Sequence, residues 1–438
     1  MKPSRRISVI GAGYVGLATS VGLANRGHVI DLVETRPDRL QILESGSLPI
    51  HEPGMASVFA DPDTRSRIRP FSAPQLGCDL IMVCVGTPVD EEGRSDLRQI
   101  ESALRSVAAL VAAGTPVVIR STLPAGSGPR IVEWLGGHRS RIFLNPEFLQ
   151  QGRAIEDFLE PTRVVIGAYP DADPDALAMV RDVLHFTSCP LLVVGMMEAD
   201  LIKNGANAFL ALKLSFANEL AVLCEALGAD VVEVVEGIGL DPRIGTKHMR
   251  PSFGFGGSCL PKDLCALTNV GKELGLAMHV TSAASEANAD HQEHFASRVA
   301  GLLPAGCTRV ALLGLAFKAG TDDTRSSPSL RVAQILIDRG VDVVGYDPHA
   351  AENALREVPG LSIAATAADA IASAGVVAIG TEWPEFRDLD WAALAGTMVS
   401  PTVIDGRRLL DADRMRALGY HYETVGAPIP SRVPSSVR

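Results

Sequence analysis

A strand–turn–helix–strand unit at the start of the chain constrains the fold more than any other feature. Residues 7–10 are a short apolar strand that runs into Gly11-x-Gly13-x-x-Gly16, and a helix and a second strand follow, ending at Glu34. In this pattern the first glycine makes the turn, the second admits a pyrophosphate, and the third lets helix and strand pack closely. An acidic residue after the second strand accepts hydrogen bonds from ribose hydroxyls. The segment therefore predicts a Rossmann-like domain that binds a dinucleotide.

Two arginines, Arg36 and Arg39, follow Glu34 closely. An arginine at this place can accommodate the 2′-phosphate of NADP. The carboxylate of Glu34 would repel that phosphate, because both groups carry negative charge. We therefore expect the cofactor to be NAD.

Length and charge limit the class of protein. At 438 residues the chain exceeds what a single hydrophobic core serves, so two or three domains are expected. Its 40 Lys and Arg against 51 Asp and Glu give a net charge of −11, which argues against nucleic acid or an anionic membrane as a partner. Seven cysteines without paired spacing indicate a reducing cytoplasm. No uninterrupted apolar stretch is long enough to span a membrane.

Polar residues stand at the ends of several further predicted strands. These strands are predicted at residues 80–85, 116–120, 142–144 and 164–166. Thr87, Thr122 and Glu147 each follow one of them closely. Ligands of an open α/β sheet bind beyond the carboxyl ends of its strands. We therefore expect these three side chains to line one cleft.

A long helix is predicted from residue 197 to residue 227, because apolar residues recur there at helical spacing without a proline. Lys203 and Asn207 are four residues apart and project from one face of it. Such a pair on a surface helix is usually solvated. Facing a cleft, an ammonium and an amide can instead stabilise an oxyanion.

The segment from Gly254 to Asp263 holds one cysteine, Cys259, between a glycine cluster and Pro261. Proline suits the first turn of a helix, so Cys259 is expected in a sharp loop just before one. A helix N-terminus and the neighbouring Lys262 both favour the nucleophilic thiolate. Most single cysteines are instead small buried apolar residues.

A second Rossmann-like unit is predicted from Arg309, because residues 309–314 repeat the pattern of residues 6–11. Asp347 takes the place that Glu34 has in the first unit. The glycine fingerprint is replaced by a longer polar loop that contains Lys318 and Arg325. These two cationic side chains suit either a different phosphorylated ligand or phosphates shared with the first domain. Between the two units, His291 and His294 are predicted on a solvated helix face, and no metal site is expected.

Together the motifs resemble the UDP-glucose/GDP-mannose dehydrogenases, a family of nucleotide-sugar dehydrogenases, over nearly the whole chain. The resemblance is carried by Gly11–Gly16, Val85–Pro88, Ser121–Pro124, Asn145–Leu149, Lys203 with Asn207, Phe255–Asp263 and Gly314–Pro328. It implies an α/β fold in which two Rossmann-like doubly wound domains are joined by a long central helix and a small all-helical dimerisation region. The expected divisions are an NAD domain at 1–196, a central domain at 197–304, a nucleotide-sugar domain at 305–425 and a disordered tail at 426–438.

The resemblance implies a four-electron oxidation. The C6 primary alcohol of a nucleotide sugar becomes a carboxylate, and two NAD are reduced in turn. Cys259 would trap the aldehyde as a thiohemiacetal, which is oxidised to a thioester and hydrolysed. Lys203 and Asn207 would stabilise the oxygen that develops charge, and Glu147 and Asp263 are alternative proton acceptors. The implied catalytic residues are Cys259, Lys203, Asn207, Glu147, Asp263 and Thr122, the last of which would place a water.

The resemblance also implies which residues bind the ligands. Those expected at the cofactor are Gly11, Gly13, Tyr14, Val15, Gly16, Glu34, Arg39, Thr87, Thr122, Gln151, Lys262 and Arg325. Those expected at the nucleotide sugar are Glu147, Phe148, Leu149, Lys203, Asn207, Arg243, Arg250, Pro251, Ser252, Phe253, Gly254, Gly256, Lys318 and Arg407. Arg243 would reach the neighbouring site of a homodimer.

Two positions depart from the family pattern. Gln151 stands where relatives usually have glutamate, and Glu34 stands where they usually have aspartate. The motifs also point to two substrates. Residues 381–390 and 405–407 resemble the branch that oxidises UDP-glucose to UDP-glucuronate, whereas 84–87 and 249–253 resemble the GDP-mannose branch. UDP-glucose is favoured, because the family holds the nucleotide in the C-terminal domain.

Two other functions would use parts of the same sequence. A single-step hydroxyacid dehydrogenase could use Lys203 and Asn207 with Cys259 as a structural residue, and it would release one NADH per substrate. A non-enzymatic NAD-binding regulator would explain the glycine fingerprint. It would not explain why Glu147, Lys203, Cys259 and Asp263 occur together.

Overall fold

The computed structural model describes residues 3–89 and 94–428. The chain divides into two compact units. The first unit comprises Met1–Ala206 with Asn269–Gly275, and the second comprises Asn207–Thr268 with Leu276–Arg438. Each contains one largely parallel sheet, which confirms the expected α/β class with two Rossmann-like sheets.

The sheet of the first unit has eight strands in the order β3-β2-β1-β4-β5-β6-β7-β8. The strands are β1 (Arg6–Ile10), β2 (Val29–Val33), β3 (Ile68–Phe71), β4 (Leu80–Val83), β5 (Val117–Ile119), β6 (Ile142–Leu144), β7 (Val164–Ala168) and β8 (Leu191–Gly195). Every neighbouring pair is parallel except β6 and β7. All residues of β4, β5 and β6 are buried, as expected for strands covered on both faces.

Helices cover both faces of this sheet. They are α1 (Tyr14–Asn25), α2 (Pro37–Glu44), α3 (Met55–Ala60), α4 (Pro62–Ser66), α5 (Arg98–Ala112), α6 (Gly128–Trp134), α7 (Ala154–Leu159) and α8 (Pro174–Leu184). Helix α1 is built of small residues because α7 packs directly on it. A Cβ added at Gly22 would lie 2.1 Å from the ring of Phe158.

Helix α9 (Met196–Leu227) is 32 residues long, close to the predicted 197–227, and belongs to the first unit up to Ala206 and to the second from Asn207. The later helices are α10 (Val231–Gly239), α11 (Leu260–Glu273), α12 (His279–Gly301), α13 (Pro328–Asp338), α14 (Ala351–Glu357), α15 (Ala367–Ile371), α16 (Pro384–Arg387), α17 (Trp391–Ala395) and α18 (Ala412–Ala417).

The sheet of the second unit is parallel throughout, in the order β11-β10-β9-β12-β13-β14. Its strands are β9 (Arg309–Leu313), β10 (Asp342–Tyr346), β11 (Ser362–Ile363), β12 (Val376–Ile379), β13 (Thr402–Asp405) and β14 (His421–Thr424). The order β10-β9-β12 repeats β2-β1-β4 of the first sheet, as the internal sequence echo predicts.

The acidic residue of the second sheet has a different use from that of the first. The carboxylate of Asp347 accepts hydrogen bonds from the backbone N–H groups of Leu315 and Ala316, at 2.8 and 3.0 Å, and from Trp383 Nε1 at 3.0 Å. Its other oxygen accepts from the N–H groups of His349 and Ala350. With both oxygens occupied, Asp347 closes the β9 loop and is not available to a ribose.

The sequence also predicts domain boundaries, a disordered C-terminal tail, and no membrane-spanning helix or metal site. The division into domains at 196, 304 and 425 stays a prediction. Most of the predicted tail, 429–438, lies outside the described residues, but Gly426 is held in place: its carbonyl accepts from Val231 N, and its N–H donates to Glu225 Oε1, both at 2.8 Å. Within the described ranges, no helix is long and apolar enough to cross a membrane, and no group of three metal-ligating side chains occurs.

The expectation of a solvated face at His291 was wrong. His291 is buried, and its Nε2 lies 2.7 Å from the carbonyl oxygen of Ser252. Burial is the main cause that lowers its pKa to about 4. Helical periodicity in α12 did not reveal this contact, because the segment that covers His291 is remote in sequence.

Candidate functional site

The glycine loop of the first unit has the shape that a dinucleotide needs. Gly11 has a φ of +98°, and a Cβ at Gly16 would lie 1.8 Å from the Gly11 carbonyl oxygen. Gly13 precedes α1, and a Cβ there would meet no atom within 4 Å. Space is therefore left beside the N-terminus of α1, where backbone N–H groups attract a pyrophosphate. Tyr14 and Val15, in the first turn, are half-buried.

Glu34 lies at the end of β2, where a ribose would bind, and fits NAD. It is mostly buried, and its Oε1 accepts a hydrogen bond from Arg36 N at 2.9 Å. Arg39 Nε lies 3.4 Å from Glu34 Oε2, and Arg39 Nη2 donates to the Ala12 carbonyl at 2.6 Å. The carboxylate thus holds Arg39 against the glycine loop and keeps a negative charge at the place of a 2′-phosphate.

The first unit brings the predicted strand-end residues to one edge of its sheet. Thr87, Thr122 and Glu147 follow the adjacent strands β4, β5 and β6. Thr87 Oγ1 donates to the Thr122 carbonyl at 2.7 Å. The N–H of Leu149 donates to Glu147 Oε2 at 2.6 Å, which fixes the carboxylate over its own turn. Gln151 is half-buried in the turn that follows.

Glu147 and Lys203 form a buried ion pair. Lys203 Nζ lies 3.2 Å from Glu147 Oε1, and the two side chains are 4% and 6% exposed respectively. The ammonium also lies 5.5 Å from the centroid of the Phe148 ring. Removing either partner of a buried pair leaves an uncompensated charge. Lys203 is therefore held by the protein and is not on a solvated helix face.

Three residues of the first unit support the predicted site residues but were not themselves predicted to do so. Arg120, at the end of β5, is buried and donates from Nη1 to Asn145 Oδ1; burial is the main cause that lowers its pKa. Asn145 Nδ2 in turn donates to the Val165 carbonyl at 2.7 Å and braces the turn that carries Glu147. Asn204 Nδ2 donates to the carbonyl of Leu123, beside Thr122, at 3.1 Å. The only sequence signal was their position next to predicted site residues.

The second unit holds a separate polar cluster around Asp263, which is almost completely buried. Asn207 Nδ2 donates to Asp263 Oδ2, and Lys262 Nζ donates to Oδ1, both at 2.6 Å. The structure thus places the Lys262 ammonium on Asp263. Each carboxylate oxygen has one strong donor, so Asp263 fixes the amide of Asn207.

Cys259 stands at the start of α11. It is half-buried, and its carbonyl accepts the hydrogen bond from Asp263 N at 2.9 Å that opens the helix. Ser258 Oγ lies 3.6 Å from its sulfur. The positive end of a helix stabilises a thiolate, so the position suits a nucleophile.

The glycines before Cys259 allow close packing inside the second unit. Gly254 has a φ of +138°, and Gly257 N donates to the Arg325 carbonyl at 3.1 Å. A Cβ at Gly256 would lie 2.1 Å from the Ser326 carbonyl oxygen. The cluster is therefore needed at least to seat the cysteine loop against the polar loop after β9.

The segment 250–253 is anchored largely by its own unit. Phe253 is buried, with its ring centroid 4.0 Å from that of Phe295, and Pro251 is buried too. The N–H of Ser252 donates to Asn218 Oδ1 at 2.9 Å. The side chain of Phe253 belongs to the core, so a substrate contact here would involve the backbone.

Basic groups gather in the second unit although the chain is acidic overall. Lys318 is half-buried, with Nζ 5.6 Å from the centroid of the Phe317 ring. Burial and the positive charges of Lys213, Lys318 and Lys247 lower the pKa of His248. This cluster gives the second unit a local cationic region, which suits a phosphorylated ligand.

The arginines predicted to bind ligands already have protein partners. Arg407 donates to the carbonyls of Phe317 and Gly380, each at 2.8 Å, and Arg250 Nη2 donates to the Arg407 carbonyl at 3.1 Å. Arg325 pairs with Asp323 and Arg243 with Asp241, both at 2.6 Å. The side chain of Arg243 is 87% exposed.

Known proteins resemble the chain along almost its whole length. The UDP-glucose/GDP-mannose dehydrogenase family matches in three parts: its NAD binding domain at residues 5–185, its central domain at 197–290 and its UDP binding domain at 311–412. UDP-glucose 6-dehydrogenase of Rhizobium meliloti (strain 1021) is 36% identical over 97% of this chain and 100% of its own. UDP-glucose 6-dehydrogenase AglM of Haloferax volcanii is 38% identical over 96% of this chain and 99% of its own.

A solved structure also resembles the chain over almost its full length. A UDP-glucose dehydrogenase from Pyrobaculum islandicum, 33% identical, superposes with a TM-score of 0.87 over 98% of both chains. The NAD expectation is confirmed by the match of the NAD binding domain. The UDP binding domain and these relatives support a nucleotide-sugar substrate. The chain is therefore an NAD-dependent oxidoreductase that belongs to the UDP-glucose/GDP-mannose dehydrogenase family.

Proposed function

We propose that this chain oxidises UDP-glucose to UDP-glucuronate at C6, with two NADH released per sugar. The observation that carries the proposal is the placement of Cys259 at the start of α11, four residues before the buried Asp263–Asn207 pair. A nucleophile and an amide donor held by one unit are what an aldehyde-trapping enzyme needs. The cations around Lys318 suit the diphosphate, and the named relatives support the uridine nucleotide.

Cys259 acts on the aldehyde that the first oxidation produces. NAD, when bound, accepts one hydride in each of the two oxidations. The Cys259 thiolate adds to the aldehyde carbon and the carbonyl oxygen takes a proton, which gives a thiohemiacetal. Its oxidation leaves a thioester. Water then adds to the acyl carbon, the carbon–sulfur bond breaks, and the products are the carboxylate and the restored thiolate.

Lys203 and Asn207 stabilise the oxygen of the reacting carbon. Each is preorganised by a carboxylate, Lys203 by Glu147 and Asn207 by Asp263, so neither has to reorient as charge develops. Glu147 and Asp263 are the two candidate proton acceptors, and Thr122 helps to place the hydrolytic water.

The other predicted residues bind the ligands. The glycine loop holds the pyrophosphate of NAD and Glu34 its ribose, while Lys318 and the 250–256 segment bind the nucleotide sugar. Arg407 contacts the nucleotide sugar and Arg325 contacts NAD, although the Arg407 side chain also donates to the Phe317 carbonyl and Arg325 also pairs with Asp323.

Counting NADH per sugar tests the proposal. Purified protein is offered UDP-glucose, GDP-mannose and other UDP-sugars, with NAD in excess. Two NADH per UDP-glucose, at the highest kcat/KM of the panel, is the expected result. One NADH per substrate would favour a single-step dehydrogenase, a preference for GDP-mannose would move the chain to the other branch, and no turnover would favour a regulator.

Cys259→Ser should keep nucleotide-sugar binding and lose completion of the second oxidation, because a hydroxyl is a poor nucleophile and leaving group. We expect kcat for carboxylate formation to fall at least about a hundredfold. Calorimetry checks binding, and Cys265→Ser on the same helix is the matched control. Two NADH per sugar at the normal rate in Cys259→Ser would disprove the covalent role.

We also propose that the protein works in a reducing cytoplasm. We further propose that two copies of the chain form a homodimer through α9. Four exposed apolar residues of α9 support it: Phe209, Phe216, Leu223 and Leu227. At 100° per residue they fall within about 40° of the helix circumference. A narrow exposed apolar stripe indicates a protein partner, and the exposed Arg243 of one copy would then serve the other.

A further inference from the structure

An unusual strand pairing places an arginine against a predicted substrate residue. Strands β6 and β7 are antiparallel, with Leu144 opposite Gly167 and Phe143 opposite Ala168. Phe148 lies four residues after the end of β6, and Arg163 is the residue before β7. The guanidinium carbon of Arg163 lies 3.6 Å from the centroid of the Phe148 ring. At this distance the guanidinium is in van der Waals contact with the ring.

Stacking, rather than an ion pair, holds Arg163. Its hydrogen bond to Thr162 Oγ1 is long, at 3.4 Å, and among residues 3–89 and 94–428 no carboxylate pairs with it. By contrast, Arg139 of the same unit pairs with Asp171 at 2.7 Å. Burial lowers the pKa of Arg163, so the aromatic contact offsets a desolvation cost. Arg163 is therefore a half-buried cation that contacts the Phe148 ring and has no carboxylate partner among the described residues. This arrangement indicates that the orientation of the Phe148 ring matters for function.

The Phe148 ring links Arg163 to the candidate catalytic pair. Lys203 Nζ lies 5.5 Å from the centroid of the same ring and 3.2 Å from Glu147 Oε1. Leu149 N donates to the other oxygen of Glu147. Within the turn 147–149, the Glu147 carboxylate and the Phe148 ring therefore both lie beside the Lys203 ammonium. Arg163 holds the Phe148 ring in place.

We propose that Arg163 is a positioning residue that acts through Phe148 on Lys203. The inference rests on the proposed role of Lys203 at the reacting oxygen. Without the guanidinium, the Phe148 ring can rotate, and the ammonium loses one of its contacts. A misplaced donor weakens transition-state stabilisation more than ground-state binding.

The test is a double-mutant cycle with Arg163→Met and Phe148→Leu. Methionine keeps the length of the side chain without charge or plane. We expect Arg163→Met to lower kcat about tenfold and to change KM less than about threefold. Because the two residues act as one unit, the double variant should lose little more activity than either single variant. Arg163→Lys, which keeps the charge but not the planar stack, should fall between wild type and Arg163→Met.

Arg139→Met is the matched control, because it removes an exposed arginine of the same unit. Thermal unfolding of each variant separates a loss of folding from a loss of positioning. The inference would be overturned if the kcat losses of the two single variants multiplied in the double variant. It would also be overturned if Arg163→Met had the same kcat as Arg139→Met. All ratios are measured on whichever nucleotide sugar the wild type oxidises, so a wrong substrate assignment does not affect them.

Discussion

Two acidic residues at equivalent places in the two sheets show how one side chain decides what a Rossmann-like sheet can bind. Glu34 keeps a carboxylate beside an open glycine loop, with Arg36 N and Arg39 as partners. Asp347 accepts five hydrogen bonds from its own unit. The first sheet can therefore take a ribose, whereas the second uses the same position as a structural brace.

Glu34→Ser should allow NADP to bind. The substitution removes the charge that repels a 2′-phosphate and releases Arg39, which can then pair with it. We expect the Kd of NADPH to fall about tenfold or more, measured by calorimetry, and NADH to bind more weakly. The double variant Glu34→Ser/Arg39→Ser is the control. If it binds NADPH as well as the single variant does, Arg39 is not the phosphate ligand.

Sequence periodicity located helix α9 well, but it did not show which polar residues of the helices are buried. Helix α9 begins within one residue of its prediction and ends where predicted, because its apolar spacing and lack of proline are local properties. His291 on helix α12 was predicted to be solvated, yet it is buried against Ser252. The partner lies remote in sequence, so only packing reveals it.

His291 should make folding stability fall in mild acid. Its folded pKa of about 4 is below the ordinary 6.5, so the unfolded chain binds the proton more tightly. The contribution of neutral His291 to the free energy of unfolding is complete above about pH 6.5 and is lost as the pH falls towards 4. Between pH 7.5 and 5 this amounts to about 2 kcal/mol.

The comparison with His291→Gln checks this prediction. Glutamine can still donate to the Ser252 carbonyl but does not titrate. Urea unfolding gives the free energy of unfolding at pH 7.5 and at pH 5. Between these two pH values it should decrease by about 2 kcal/mol less in the variant than in wild type. Equal losses in the two proteins would show that other groups cause the acid sensitivity.

For the molecule as a whole, the stripe on α9 predicts the assembly state. Phe216→Glu places a charge among the apolar residues that a partner copy would cover, so the dimer should dissociate. Light scattering after size-exclusion chromatography measures the mass. Leu355→Glu is the matched control, because Leu355 is 45% exposed against 49% for Phe216 but lies on α14. A wild-type monomer, or an unchanged dimer in Phe216→Glu, would contradict the proposal.

Local features of the chain predict most of its helices and strands and its cofactor class. The glycine fingerprint, the apolar periodicity and the proline after Cys259 act over a few residues, so they can be read from a single sequence. Partners distant along the chain cannot be read in this way. The antiparallel pairing of β6 with β7 sets Arg163 on Phe148, and packing of α12 buries His291. Such contacts depend on strand order and helix packing, which are cooperative properties of the folded chain and leave no signal at either residue alone.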